Sequence, residues 1–220
     1  MQTFVFADLS GYTALTEAHG DEHAADTAAT FCQTVRSVMH DYGAEEIKTI
    51  WDAILLLVPR ADDAVRLAAR LVGDHGARHQ ALSVRIGMHT GVAVCRDGDW
   101  FGAAVNIAAR VSDLAVACEV LLTSATADAA GHALAALKPE PRGRRHMRHV
   151  RESVELFALR PTSTLGLPLA VDPVCRMTVD PERAPRRTIH QGRQYVFCSE
   201  ECADAFLDTP ERYTLSAPAP

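Results

Sequence analysis

Lys48-Thr49-Ile50-Trp51-Asp52 runs directly into Ala53-Ile54-Leu55-Leu56-Leu57-Val58. The alternation from Ala44 to Ile50 and the apolar run from Ala53 to Val58 predict strand, turn, strand, with no glycine or proline to relax the reversal. An ammonium at Lys48 and a carboxylate at Asp52 therefore flank a tight turn between two strands expected to be buried. A single charged pair is by default the solvated end of two edge strands and contributes little. What lies on either side decides whether this pair does more.

On the N-terminal side, Phe4-Val5-Phe6-Ala7-Asp8 reads as a short strand ending on a carboxylate, with Leu9-Ser10-Gly11-Tyr12-Thr13 as the turn behind it. A strand, an acid and a glycine turn suit a phosphate or a metal. A helix N-cap by Asp8 or Ser10 would use the same residues. Ala24, Ala25, Ala28, Phe31, Cys32, Val35, Val38 and Met39 recur at helical spacing and predict one amphipathic helix from Asp21 to about Tyr42, ended by Gly43.

On the C-terminal side, Pro59 introduces a second helix carrying Ala64, Leu67, Ala68, Leu71 and Val72, which fades into a polar loop over 73–80. Leu82 to Val94 reads as a strand, bent at Gly87 or Gly91. Asp97 to Gly102 is a turn, and Ala103 to Val111 a helix. Asn106 and Arg110 stand at i and i+4 on it, a neutral donor beside a fork-shaped cation, a pairing suited to a polyphosphate. The rest of that helix is nearly all apolar, so a buried Asn and Arg would need partners.

Phe6-Ala7-Asp8-Leu9-Ser10-Gly11-Tyr12-Thr13, Lys48-Thr49-Ile50-Trp51-Asp52, Arg85-Ile86-Gly87-Met88-His89-Thr90-Gly91 and the stretch from Asp99 through Asn106 to Arg110 occur in one order. Together they resemble the class III adenylate/guanylate cyclase catalytic domain over about residues 2 to 160. The resemblance implies an α+β, ferredoxin-like sheet with helices on one face, working as a homodimer with active sites at the subunit interface. It places Asp8 and Asp52 where the family holds two divalent ions, Mg2+ or Mn2+, with the backbone carbonyl of Leu9 as a further ligand. Oxygen donors are what such hard ions take. It places Asn106 and Arg110 where the family orients the ribose and stabilises the charged transition state.

Lys48 and Asp99 fall where the family reads the purine. Adenine offers an acceptor at N1 and a donor at its amino group, which match an ammonium and a carboxylate; guanine reverses both polarities. A mismatched, desolvated site leaves polar groups unpaired, so the expected substrate is ATP. The family lysine that contacts the terminal phosphates corresponds to Arg148 in Met147-Arg148-His149-Val150; a basic surface turn before the strand Val154 to Leu159 is the alternative reading of that stretch. Trp51 departs from the family, in which most members carry glycine before the metal-binding aspartate. Its bulk could alter the turn, block part of the site or reinforce the dimer.

Residues 1–160 thus form the expected catalytic domain, followed by a linker over 161–170 rich in turn formers. Asp172-Pro173-Val174-Cys175-Arg176-Met177, Tyr195-Val196-Phe197-Cys198-Ser199-Glu200-Glu201-Cys202, and then Phe206, Pro210 and Tyr213 resemble the YHS domain over 171–214. Its usual glycine after the first cysteine is Arg176 here. A unit this small often needs a staple. Cys175, Cys198 and Cys202 could offer three thiolates to Zn2+ or copper, with His190 as a candidate fourth ligand; three reduced buried thiols without metal are the alternative. Residues 215–220 read as a disordered tail.

Composition trims the remaining possibilities. The net charge of −6 and the absence of a basic stripe argue against nucleic acid or an anionic membrane as partner. No apolar run approaches a membrane span or a signal segment, and Cys32, Cys95 and Cys118 are scattered singly, so a reducing cytoplasm is the expected location. Three classes of function stay open: an adenylate cyclase tuned through its C-terminal module, a non-catalytic cyclase-like dimer, and a metal-handling protein.

Overall fold

The computed structural model describes residues 1–76, 78, 80–148, 150, 152–160 and 169–214. Most of the expected linker (161–168) and the expected tail (215–220) lie outside the described residues. The chain is α+β. Strand β1 (Gln2–Ser10), helix α1 (Tyr12–Met39), the hairpin β2 (Glu45–Ile50) and β3 (Ala53–Val58), helix α2 (Ala61–Gly76) and strand β4 (Ser83–Gly91) follow in order. A small hairpin, β5 (Val94–Arg96) with β6 (Asp99–Phe101), leads into helix α3 (Ala103–Leu114). Then come β7 (Val120–Thr123), α4 (Ser124–Ala130), α5 (His132–Ala135), β8 (Glu140–Arg145) and β9 (Val154–Leu159). Seven strands make one mixed sheet in the order β2-β3-β1-β4-β7-β9-β8.

Both faces of this sheet are covered. Val5, Ala7 and Leu9 of β1, Ile54 and Leu56 of β3 and Val84 and Ile86 of β4 pack against α1 and α2. Alternate residues point the other way: Phe4, Leu55 and Leu57 meet Ala104, Val105 and Ala108 of α3. Helices on one face only were expected, and the nearly all-apolar sequence of α3 is explained by its own seat on the second face. That seat is close. A Cβ on Gly87 would lie 2.0 Å from the backbone nitrogen of Ser112, so only glycine lets α3 cross β4 there.

The opening hairpin forms as predicted, with one difference. β3 is buried, but β2 is the edge strand and largely exposed. α1 also differs from expectation. It begins at Tyr12 and is broken at Gly20 (φ 84°, ψ 168°), so the periodicity that starts at Asp21 marks only the piece after the kink. The piece before it buries only Leu15, too sparse an apolar pattern to be read from sequence.

The C-terminal module contains β10 (Ala170–Val171), β11 (Thr178–Val179), the hairpin β12 (Arg186–His190) and β13 (Arg193–Phe197), and helices α6 (Glu200–Asp208) and α7 (Pro210–Thr214). It is not a free appendage. Val174, Cys175, Met177, Phe197 and Phe206 belong to the same apolar cluster as Leu15, Ala24 and Leu82. Thr178 seals the joint: Gln80 N–H donates to its carbonyl at 2.8 Å and its own N–H donates to the Ala81 carbonyl at 2.8 Å. Among the described residues no helix is long and apolar enough to cross a membrane.

Candidate active site and a cysteine-histidine cluster

Register brings the first group together. Asp8 is paired across the sheet with Ala53 on one side and Arg85 on the other, at the end of β1 nearest the hairpin turn. The Arg85 guanidinium holds the Asp8 carboxylate at 2.5 and 2.7 Å. Asp52 closes onto the same corner, its carbonyl accepting from the N–H of Leu9 at 3.3 Å. Burial, and then the neighbouring charge of Asp8, push the Asp52 carboxyl above its ordinary range. Two carboxylates crowded this way, with the Leu9 backbone between them, form an oxygen-rich donor set that divalent cations would relieve. Arg85, quoted in the motif but given no role from sequence, is the single cation that supplies relief within the chain's described contacts of Asp8.

Lys48 and Asp99 form the second group. The register puts Lys48 opposite Leu55, on the α3 face of the sheet. Asp99 opens β6, and its Oδ2 accepts from Lys48 Nζ at 2.6 Å. The hydrogen bond from Lys48 is the main reason the Asp99 carboxyl is held below its usual range. Residues far apart in sequence and both expected to read one base thus meet in one chain.

Asn106 and Arg110 share the exposed side of α3, and Arg110 reaches Asp113 at 3.2 Å. The expectation that they are buried is wrong for a single chain: the apolar side of α3 faces the sheet and these two face outward. The hairpin that leads into α3 and the segment just before it expose apolar side chains, with Val92, Val94 and Phe101 more than half exposed. Arg148 stands in an exposed turn beyond β8, in no described contact with either group.

Trp51 takes φ 54°, the left-handed conformation that favours glycine, and is 86% exposed. It borders a groove against α1 with Tyr12, Ala28, Cys32 and Thr49. Replacing it by glycine is expected to raise the unfolding free energy by about 0.5–1 kcal/mol, the left-handed strain outweighing the added chain entropy. A denaturant midpoint that falls instead would mean that the contact with α1 outweighs the strain.

The three C-terminal cysteines do converge, though with a different histidine. Sγ of Cys175 and Cys198 are 3.4 Å apart and Sγ of Cys198 and Cys202 3.7 Å. Nε2 of His19, the last residue before the Gly20 kink in α1, is 3.5 Å from Cys198 Sγ and 3.5 Å from Cys202 Sγ. All four ligand atoms lie within 4.8 Å of one another. His190 is not among them: it packs edge-on against Phe206, 5.8 Å between ring centres. Buried Asp172 organises the cysteine loops by accepting from the N–H groups of Val174 and Cys198, each at 2.8 Å. Hydrogen bonds from Cys175 and then Cys198 draw the Cys202 thiol well below its ordinary range, and the hydrogen bond with Cys198 pushes Cys175 up. Arg176 also takes a left-handed φ of 70°, the reason a glycine is usual there, and its side chain fills the space where Gly11 would carry a Cβ.

Comparison with known proteins matches residues 2–161 to the adenylate and guanylate cyclase catalytic domain and residues 170–216 to the YHS domain. Among curated relatives, an uncharacterized protein of Mycobacterium bovis is 37% identical over 123 residues, 56% of this chain and 32% of that protein. A pH-sensitive adenylate cyclase of Mycobacterium tuberculosis is 33% identical over 164 residues, covering 74% of this chain and 41% of that protein. The chain therefore spans less than half the length of these relatives. Among solved structures, an adenylate cyclase of Trypanosoma brucei superposes with a TM-score of 0.68 at 22% identity, covering 76% of this chain and 91% of that one. That likeness carries the fold.

Proposed function

The chain belongs to the adenylate and guanylate cyclase catalytic domain family, with a YHS domain behind the catalytic one, and from that premise we propose that it is an adenylate cyclase acting as a homodimer. In the proposed reaction the ribose 3′-oxygen of ATP bonds to the α-phosphorus and its proton is released. The bond from that phosphorus to the oxygen bridging to the β-phosphate breaks, giving 3′,5′-cyclic AMP and pyrophosphate.

The single observation that carries the choice of ATP is the 2.6 Å Lys48–Asp99 pair. A donor and an acceptor held side by side present the polarity that the adenine edge requires. Opening that pair onto the base exchanges one set of charge-assisted hydrogen bonds for another, whereas guanine would face like with like. Asp8, Asp52 and the Leu9 carbonyl would hold two divalent ions, Mg2+ or Mn2+, which when bound activate the 3′-hydroxyl and neutralise the triphosphate. Arg85 holds Asp8 in place between the two neighbouring strands. Asn106 orients the ribose, and Arg110, free to leave Asp113, stabilises the charge that builds on the α-phosphate. Arg148 is assigned to the terminal phosphates.

Dimerisation is supported by the surface around these residues. Val92, Val94 and Phe101 expose apolar area at the hairpin leading into α3, the helix of Asn106 and Arg110, and a second copy would cover it. A cavity of about 530 Å³ lies elsewhere, between the module and the Ser10 end of β1, and neither carboxylate, Lys48 nor Asp99 lines it.

The test is product formation by the purified chain with Mn2+ and either nucleotide. Cyclic AMP and pyrophosphate should appear in equal amounts, with kcat/KM for ATP exceeding that for GTP by at least about 100-fold and the ratio collapsing in Lys48→Ala. Preference for GTP would refute the base-reading assignment; no cyclic product from either nucleotide would leave a non-catalytic dimer.

A further inference from the structure

We infer that His19, Cys175, Cys198 and Cys202 bind one zinc-type ion between them, and that this ion fastens the C-terminal module to the first piece of α1, directly behind Asp8 and Leu9. The inference does not rest on the cyclase reading, since it concerns a different site and is read out by metal content.

The spacing argues first. Around an ion with metal–sulfur bonds of about 2.3 Å and a metal–nitrogen bond of about 2.0–2.1 Å, a regular tetrahedron has S···S edges of about 3.8 Å and N···S edges of about 3.5 Å. Four of the six edges are 3.4 and 3.7 Å for S···S and 3.5 and 3.5 Å for N···S, and the two from Cys175 to Cys202 and to His19 lie within 4.8 Å. Bridged cysteines would bring two sulfurs to about 2.0 Å, and all three are free. Ligand chemistry argues second: three thiolates and one imidazole form a closed, four-coordinate set of the kind zinc takes in structural sites. The thiols are buried in a module with little core of its own, where a metal would supply the missing staple.

The histidine comes from the catalytic domain, and this sets the site apart from one built by the module alone. His19 ends the piece Tyr12–His19, after which Gly20 redirects the helix. The same piece is held at two further points. Arg212 of α7 pairs with Glu17 at 2.9 Å, and Arg176 packs on Gly11 immediately before Tyr12. The metal bond at His19 would close this three-point clamp. Removing the ion would then loosen the start of α1 and, through it, the Leu9 backbone.

The full-length chain, reduced and purified, should carry close to one Zn2+ per chain by elemental analysis. Co2+ put in its place should give the intense thiolate charge-transfer and visible bands of tetrahedral sulfur-rich coordination. His19→Ala should weaken metal affinity by at least about 100-fold, beyond the 10–100-fold typical of residues outside the first layer of ligands. His23→Ala, on the next turn and 5.3 Å from His19 between ring centres, should leave it unchanged. His19→Cys should keep a tetrahedral Co2+ spectrum with added charge-transfer intensity, which separates loss of a ligand from loss of folding. On chelation, hydrogen exchange over Tyr12–His19 should speed up at least tenfold. Less than a tenth of an equivalent of metal in the reduced wild type would overturn the site. Unchanged affinity and spectrum in His19→Ala would overturn its sharing between domains, and unchanged exchange on chelation would overturn the clamp.

Discussion

Asp52→Ala should lower cyclic AMP formation by at least about 10³-fold while leaving the fold intact, an effect of the size that follows when a charge-stabilising group is removed from a preorganised site. The reason lies in the corner where Asp52 meets Asp8. Burial and the neighbouring carboxylate raise the Asp52 pKa, so the corner favours less negative charge than two carboxylates carry. Arg85 is paired with Asp8, and its charge offsets the rise at Asp52 only as the smallest of the causes acting there. Under the proposed function divalent cations would offset the rest, and the alanine removes half of the donor pair that would hold them. Stability should move the other way: losing a carboxylate that its neighbour repels should leave the melting temperature unchanged or slightly higher. A rate within tenfold of wild type would show that Asp52 holds no essential ion. A large drop in melting temperature would show that the loss came from folding.

Asp8 and Asp52 were placed at one corner in sequence only through the family resemblance, since strand alternation gives the face of each residue within β1 and β3 but not that the two strands pair. Lys48 and Asp99 were paired only through the family resemblance, since nothing local joins a β2 residue to a β6 residue. His19 was out of reach. One histidine in a polar stretch before a glycine carries no pattern, and its partners arrive from the other end of the chain only when the module docks. His190, the candidate fourth ligand, instead lies on the β12–β13 hairpin with its ring against Phe206. Trp51 and Arg176 show the opposite case. Each stands where the family usually has glycine, and the left-handed backbone at both positions gives that glycine its physical cause.

Asn106 and Arg110 are both exposed in a single chain. There Arg110 satisfies itself on Asp113, and Val92, Val94 and Phe101, before the start of the same helix, are more than half exposed. A site that needs these groups desolvated must obtain its cover from a second chain.

Mixing Asp8→Ala chains with Lys48→Ala chains should therefore restore activity that neither has alone. Under the proposed geometry, Asp8 and Asp52 of one chain face Lys48 and Asp99 of the other. The mixed dimer then has one site carrying both substitutions and one carrying neither. Random pairing of equal amounts makes half of the dimers mixed, each with one intact site of two, so recovery should reach about a quarter of the wild-type rate per chain. The intact site should also keep the wild-type preference for ATP, because both of its base-reading groups come from the Asp8→Ala chain. If each chain instead held its own complete site, every site in the mixture would be defective and no recovery would follow. Absence of activity in a heterodimer verified by differently tagged subunits would thus refute the shared site, and it would do so without bearing on the metal content of the cysteine-histidine cluster.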